Sequence, residues 1–142
     1  MQVQEVMSGK PVCIAPEESA EVAARLLSRH NVGILPVCSI DGKLRGVITD
    51  RDIVLRCVAS GDEPGHTPIA DIMTRRIYSV RPEDSLEKAA AIMAGEQVRR
   101  LPVERDGKLV GVLSLGDLAR MQDCTMEAAR TLSEISENIR NL

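Results

Sequence analysis

The heptapeptide GVITDRD at residues 46–52 returns as GVLSLGD at residues 111–117, and this recurrence decides the fold. Around it, residues 6–37 match residues 72–103 at a shift of 66, with 11 identities in 32 positions. Residues 41–55 match residues 106–120 at a shift of 65, with 7 identities in 15 positions. The change of shift means that the second copy is one residue shorter before its Asp-Gly turn. The chain is therefore an internal duplication.

Each copy predicts the same order of elements. An apolar stretch ends at a proline, which cannot donate to a sheet, and a serine that can cap a helix follows three residues later. A strand, an Asp-Gly turn and another strand come next, and the heptapeptide leads into a second helix. The predicted unit is β-α-β-β-α. Its strands are expected at 11–15, 34–37 and 44–49 in the first copy, and at 77–80, 101–103 and 109–114 in the second.

The predicted fold class is α/β (α+β), with two such units packed sheet to sheet in pseudo-two-fold symmetry, because one small unit cannot bury both faces of its sheet. We assign residues 1–59 to the first repeat, 60–68 to a connector, 69–122 to the second repeat and 123–142 to a C-terminal amphipathic helix. Apolar residues of that helix recur every three or four positions. They are Met126, Ala129, Leu132, Ile135, Ile139 and Leu142. This stripe packs either on its own module or across a dimer.

Composition narrows the function. The 142 residues carry a formal net charge of −3, and Tyr78 is the one aromatic residue. A nucleic-acid binder normally has a basic excess and aromatic stacking platforms, so we expect no nucleic-acid partner. The sequence has no apolar run long enough to span a membrane and begins without a secretory signal, which favours a cytoplasmic protein. No catalytic motif and no cluster at metal-ligand spacing stands out, so we expect neither an enzyme nor a metal site.

The duplicated unit with its G-h-h-[ST]-x-x-D segment resembles a pair of CBS domains, often called a Bateman module, over residues 3 to about 122. It is also similar to small stand-alone bacterial CBS-pair proteins, including the hypoxic-response type. The resemblance implies a regulatory sensor that binds AMP, ADP, ATP, S-adenosylmethionine or NAD in clefts between the repeats and requires no other cofactor. It also implies a homodimer, and an effector protein that the sequence does not identify.

The resemblance assigns roles to the heptapeptide residues. In the family, the aspartate binds the ribose hydroxyls and the Ser or Thr lies near the phosphate. The resemblance therefore implies one site with Thr49 and Asp52 and another with Ser114 and Asp117. The alternative is that each pair serves only as a helix-capping box and binds no ligand.

Further residues are implied at both sites. Family members often carry phosphate-binding basic residues where this chain has Arg99 and Arg100, so Arg99 would face the Asp52 site and Arg100 the Asp117 site. The alternative is a solvated pair of charges, and the first repeat has no charge at the matching place. The base would be lined by Ile14, Gly33, Ile34, Pro36, Ser79, Val80, Val98 and Pro102.

Two cysteines belong to one copy alone. Cys13 lies in the first predicted strand and Cys38 follows the second, and a β-α-β crossover makes such strands parallel neighbours. They are either inert thiols or a redox-sensitive disulfide. The second overall hypothesis is a ligand-free interaction and dimerisation module that acts through the C-terminal helix and a dimer surface, with redox response through Cys13 and Cys38 as an optional feature.

Overall fold

The computed structural model describes residues 1–121 and 125–140, with the side chains of 125–128 and 137–140 left out of the description. The chain forms two compact units. The first unit is Pro11–Ile77, and the second unit joins Met1–Lys10 to Tyr78–Leu142. Each unit has its own aliphatic core. Within the described residues, no helix is both long and apolar enough to cross a membrane.

Apart from its first strand, the first unit follows the predicted order. Its elements are α1 (Ala20–His30), β1 (Ile34–Cys38), β2 (Leu44–Thr49), α2 (Asp50–Ile53) with a π-helical continuation (Val54–Val58), and α3 (Ile69–Ile72). A short 3-10 turn, Pro64–His66, precedes α3. Strands β1 and β2 pair antiparallel, and one face of this hairpin covers a core that includes Leu35, Val37 and Ile48.

The second unit repeats the arrangement and adds a helix. Its elements are α4 (Leu86–Glu96), β3 (Arg100–Arg105), β4 (Lys108–Ser114), α5 (Leu115–Ala119) and α6 (Thr125–Arg140). A 3-10 turn at Val3–Glu5 also belongs to this unit. Strands β3 and β4 pair antiparallel, and Leu101, Val103 and Leu113 lie fully buried in the core beneath them.

The predicted helix caps are confirmed. The Ser19 hydroxyl accepts the Val22 N–H at 3.2 Å, and the Ser85 hydroxyl accepts the Lys88 N–H at 3.1 Å. Both helices end where the sequence predicted, and the next residue, Asn31 or Gln97, adopts a left-handed conformation. This conformation closes the last helical turn.

The first strand of each predicted unit is wrong as an extended element. Ile14 makes one parallel bridge to Val37, and Val80 makes one to Val103, so each sheet has two strands rather than three. Two residues after each bridge stands the proline that the sequence analysis singled out. Because proline has no N–H, the pairing stops there.

The hairpin tips explain the change of shift between the copies. In the second unit, Asp106 and Gly107 both have positive φ, at 53° and 81°, as a tight two-residue turn requires. In the first unit only Gly42 of the turn has positive φ, and the additional residue Ile40 is fully exposed. The extra residue is therefore accommodated in solvent, outside the core.

Helix α6 packs on α4 and α5 of its own chain, as one of the two predicted alternatives has it, and packing across a dimer stays a prediction. Its buried face agrees with the predicted stripe at Ile135 and departs from it elsewhere, because Thr131 is buried as well, whereas Ala129 and Leu132 are exposed. The Thr131 hydroxyl donates to the Ala90 carbonyl at 3.5 Å, so a polar residue outside the predicted stripe contacts α4. The other predicted members of the stripe lie outside the described side chains: Met126, Ile139 and Leu142.

Candidate functional site

The Ser or Thr and the Asp of each heptapeptide form a reciprocal capping box at the start of the helix that follows. Thr49 Oγ1 accepts the Asp52 N–H at 2.9 Å, and Asp52 Oδ2 accepts the Thr49 N–H at 3.0 Å. Ser114 and Asp117 make the same two bonds at 3.0 and 2.8 Å. Both aspartates are only 6% exposed. The capping interpretation therefore holds for both copies, whatever else these residues do.

Asp52 has further donors. The Thr74 hydroxyl lies 3.1 and 3.2 Å from its two carboxylate oxygens, and Arg56 Nη1 lies 3.5 Å from Oδ1. The same Arg56 nitrogen donates to the carbonyls of Ile72 and Met73. The carboxylate is thus neutralised and hydrogen-bonded inside the first unit. Sequence reasoning missed both partners, although Met73-Thr74 repeats Met7-Ser8 at the same shift of 66.

Asp117 has a different partner. Its Oδ1 is ion-paired with Arg120, three residues along the chain, and the arginine side chain is 71% exposed. Sequence reasoning missed Arg120 as well, since the first copy has Leu55 at the corresponding place. The Asp117 carboxylate is therefore held by a side chain that reaches into solvent.

The glycine that begins each heptapeptide lies against another stretch of backbone. A Cβ at Gly46 would stand 2.5 Å from the Thr74 carbonyl oxygen, and a Cβ at Gly111 would stand 2.6 Å from that of Ser8. The reason is a pair of isolated bridges, Val47 to Thr74 and Ser8 to Val112. The motif glycine is thus required by packing.

The start of β3 places two arginines beside Ser114. Arg100 pairs with Ser114 across the hairpin, and the Arg99 carbonyl accepts the Leu115 N–H at 2.8 Å. Both arginines, Ser114 and Arg120 line one cavity of about 600 Å³ in the second unit. The remaining lining residues are Leu115, Gly116, Ala119, Ala129 and Leu132. The cavity lining thus combines three arginine residues with several apolar ones.

The matching place in the first unit has the opposite charge. The Gly33 carbonyl accepts the Asp50 N–H at 3.1 Å, just as the Arg99 carbonyl accepts the Leu115 N–H in the second unit. Ile34 pairs with Thr49 across the first hairpin. The Asp50 carboxylate lies 3.5 Å from where a Gly33 side chain would begin. The predicted difference between the two sites is therefore present as an arginine pair in one unit and an acidic group in the other.

Arg99 was expected to face the Asp52 site. The structure places it in the wall of the cavity beside Ser114, together with Arg100. Its assignment to the Asp52 site stays a prediction.

Four of the eight residues predicted to line the base pair with one another through backbone hydrogen bonds in their own units. The Pro36 carbonyl accepts the Ile14 N–H, and the Pro102 carbonyl accepts the Val80 N–H. All four of these residues are buried. None of the eight lines the cavity beside Ser114, including the remaining four, which are Gly33, Ile34, Ser79 and Val98. Their assignment to adenine stays a prediction.

Cys13 and Cys38 carry thiols and are not joined as a disulfide in this structure. Because Ile14 bridges Val37 in parallel, the two cysteines lie two positions apart along neighbouring strands. Ideal strand spacing then separates their Cα atoms by about 8 Å. A disulfide needs less than about 7 Å. The structure therefore gives no support to the redox hypothesis, which stays a prediction.

Within the described part of the chain, no three His, Cys, Asp or Glu side chains come together in a way that could hold a metal ion.

Two relatives align with this chain over most of its length. CBS domain protein YhcV of Bacillus subtilis is 40% identical over 134 residues, which are 94% of each chain. Hypoxic response protein 1 of Mycobacterium tuberculosis is 33% identical over 117 residues, which are 82% of each chain.

Solved structures are similar in fold. The CBS domain protein PAE2072 from Pyrobaculum aerophilum, complexed with AMP, superposes with a TM-score of 0.76 at 27% identity, covering 92% of this chain and 99% of that one. The CBS domain pair of MJ0100, in complex with 5′-methylthioadenosine and S-adenosyl-L-methionine, gives a TM-score of 0.73 at 28% identity, covering 84% and 98%.

The family model for the CBS domain matches this chain twice, at residues 3–58 and 69–123. The two matches lie on the two copies found in the sequence, and they span most of the 142 residues. With two copies of the domain in one small chain, this protein belongs to the CBS-domain family.

Proposed function

We propose that the cavity beside Ser114 binds an adenosine nucleotide and that the chain is a regulatory module rather than an enzyme. One observation carries the proposal: Arg99, Arg100 and Arg120 line the same cavity as the motif hydroxyl of Ser114. Arginine is well suited to bidentate contact with phosphate. Two CBS proteins of the same fold are complexed with AMP and with S-adenosylmethionine, which supports an adenosine compound as the class of ligand.

The size and lining of the cavity agree with such a ligand. About 600 Å³ falls in the usual range for small-molecule sites. The guanidinium groups would take the phosphate, and Leu115 and Ala119 offer an apolar surface to the nucleoside. This division suits a molecule that is anionic at one end and largely apolar at the other.

Asp117 does not itself line the cavity, so it can take the ribose only if Arg120, which lines the cavity and is paired with Asp117, moves aside. Its Oδ2 already accepts the Ser114 N–H, and its Oδ1 is paired with Arg120. We propose that a bound phosphate draws Arg120 away from Asp117 and thereby frees Oδ1 for a ribose hydroxyl. The exposed Arg120 side chain can make this change without disturbing the core.

The Asp52 site has a different role in this proposal. Its carboxylate is already bonded to Thr49, Thr74 and Arg56. Asp50 adds a negative charge where the second unit has arginines, so a phosphate would be repelled there. We propose that Asp52 mainly fixes the fold of the first unit and that nucleotide phosphate binds beside Ser114.

A signal requires that the ligand prefer one conformation over another. In this proposal the movement of Arg120 and the ordering of Arg99 and Arg100 around a phosphate provide that preference. An effector protein would then recognise the ligand-bound surface.

Calorimetric titration of the protein with AMP, ATP, S-adenosylmethionine and NAD tests the binding. We expect at least one of them to bind, and Arg100→Ala to weaken a phosphate-bearing ligand about 10- to 100-fold through loss of a charge-assisted contact. Arg29→Ala removes the same charge from the exposed end of α1 in the other unit and should leave affinity unchanged. Absence of heat with all four ligands would instead favour the ligand-free interaction module.

We also propose that the chain forms a homodimer. Val54, Leu55 and Val58 lie on the π-helical continuation of α2, and all three are about half exposed. A two-fold interface places the same patch of two copies against itself, so a patch of uncharged apolar side chains is self-complementary. Mutual burial of these side chains would supply the hydrophobic driving force for association.

A further inference from the structure

Helix α6 supplies part of the cavity wall although it lies beyond both segments that match the CBS family model. Those matches end at residue 123, and α6 runs over Thr125–Arg140. Ala129 and Leu132 of α6 line the same cavity as Ser114. One side of the cavity therefore lies outside the segments that match the family model.

The three faces of α6 have different neighbours. Thr131 and Ile135 are buried, and the Thr131 hydroxyl donates to the Ala90 carbonyl of α4. Arg130 and Glu134 lie on one flank, where they line a groove along α4. A helix turns about 100° per residue, so Leu132 lies on the opposite flank. That flank faces the arginine-lined cavity.

Leu132 is 43% exposed while α6 is docked. Packing in the core of the second unit therefore does not explain why this position carries a leucine. The exposed surface of Leu132 borders the cavity. A ligand that is apolar over part of its surface would cover that exposed part and gain hydrophobic free energy.

We propose that Leu132 is a specificity-determining residue that packs on the nucleoside part of the bound nucleotide, and that ligand binding stabilises the docked position of α6. This inference rests on the proposed function. Because the contact with Leu132 exists only when α6 is docked, the ligand binds that state better than the undocked one. By reciprocity, whatever displaces α6 weakens the ligand by the same factor.

Two substitutions on α6 test the contact by titration with AMP, ATP, S-adenosylmethionine and NAD. Leu132→Ala should weaken the ligand that binds by about three- to tenfold, because it removes apolar contact without lowering helix propensity. Ala129→Leu places a larger side chain in the cavity and should weaken the ligand as well. Ser133→Ala is the matched control, since Ser133 is exposed on the same helix and does not line the cavity.

Hydrogen exchange of the wild-type protein gives a second readout. We expect saturating ligand to slow amide exchange across α6, and Leu132→Ala to reduce this protection. A ligand that binds the wild type but binds Leu132→Ala equally well and leaves α6 exchange unchanged would overturn the inference while sparing the proposed function. If none of the four compounds binds the wild type, the proposed function and this inference both fail.

Discussion

The glycine that begins each heptapeptide is explained by crowding of the backbone. A Cβ at Gly111 would lie 2.6 Å from the Ser8 carbonyl oxygen, a distance that real Cβ atoms essentially never show. The opposing atom is backbone held by the bridge to Val112, so it cannot move like the end of a flexible side chain. We expect Gly111→Ala to lower the free energy of unfolding by about 1–3 kcal/mol, as measured by urea denaturation.

Gly95 provides the control for Gly111. It lies in α4, and a Cβ there would meet nothing within 4 Å. Gly95→Ala should leave stability unchanged or raise it by up to about 1 kcal/mol, since alanine is the better helix former. Equal destabilisation by the two substitutions would contradict the crowding argument.

The hydroxyl of Thr74 satisfies a buried charge. It lies within hydrogen-bond distance of both Asp52 oxygens, and Asp52 is 6% exposed. Thr74→Val keeps the shape of the side chain and removes the donor. We expect a loss of about 1–3 kcal/mol in the free energy of unfolding, because a buried acceptor is left short of a partner.

Ser8 occupies the place in the second unit that corresponds to Thr74, and it is exposed. Ser8→Ala should therefore change stability by no more than about 0.5 kcal/mol, as surface substitutions usually do. If chemical denaturation showed Ser8→Ala and Thr74→Val to cost the same, the bond to Asp52 would not be the cause.

Sequence reasoning reached these sites only in part. The capping boxes could be read from the spacing, because both partners lie within one turn of the same helix. Thr74 could not be read, because it lies 22 positions from Asp52 and meets it through the tertiary fold. Arg120 was missed for another reason: it has no counterpart of like charge in the first copy, so the repeat did not draw attention to it.

At the scale of the element, local signals predicted better than long-range ones. The N-caps of α1 and α4 and the ends of both helices were predicted correctly, since a capping serine and the following apolar period act within a few residues. The first strand of each unit was overpredicted. Its apolar composition is typical of a strand, but composition does not show how many of its residues form hydrogen bonds with the adjacent strand. In the fold each meets its neighbour at a single bridge.

Docking of α6 depends on its buried face. Ile135 is 4% exposed, so Ile135→Ala should lower the free energy of unfolding by about 2–5 kcal/mol through loss of buried methyl groups and the cavity left behind. Thermal or urea unfolding of the full chain measures this change. Ser133→Ala, on the exposed side of α6, should have almost no effect. If Ile135→Ala left the free energy of unfolding unchanged, α6 would contribute little to the stability of the second unit.

At the scale of the whole molecule, the compact units are not the same divisions as the sequence repeats. The segment that precedes each copy's first strand lies in the other copy's unit: residues 1–10 belong to the second unit, and residues up to 77 belong to the first. The bridges made by Ser8 and Thr74 hold these segments in place. The repeat in the sequence identifies the segments that were duplicated. It does not show that the segment before each copy packs in the unit of the other copy, because that packing depends on pairing between residues far apart in the chain.

The proposed homodimer is a property of two whole chains, and its driving force would be the exposed apolar patch of Val54, Leu55 and Val58. Val58→Glu puts a charge in the middle of a surface that a partner copy would bury. Because the two-fold axis brings the new charges of both copies together, desolvation and repulsion should convert the dimer to a monomer. Light scattering coupled to size-exclusion chromatography should then show half the mass of the wild type.

Ile40→Glu makes the same kind of change at the exposed hairpin tip and should leave the dimer intact. A wild type that elutes with the mass of one chain, or a Val58→Glu variant that stays dimeric, would contradict this patch as the interface.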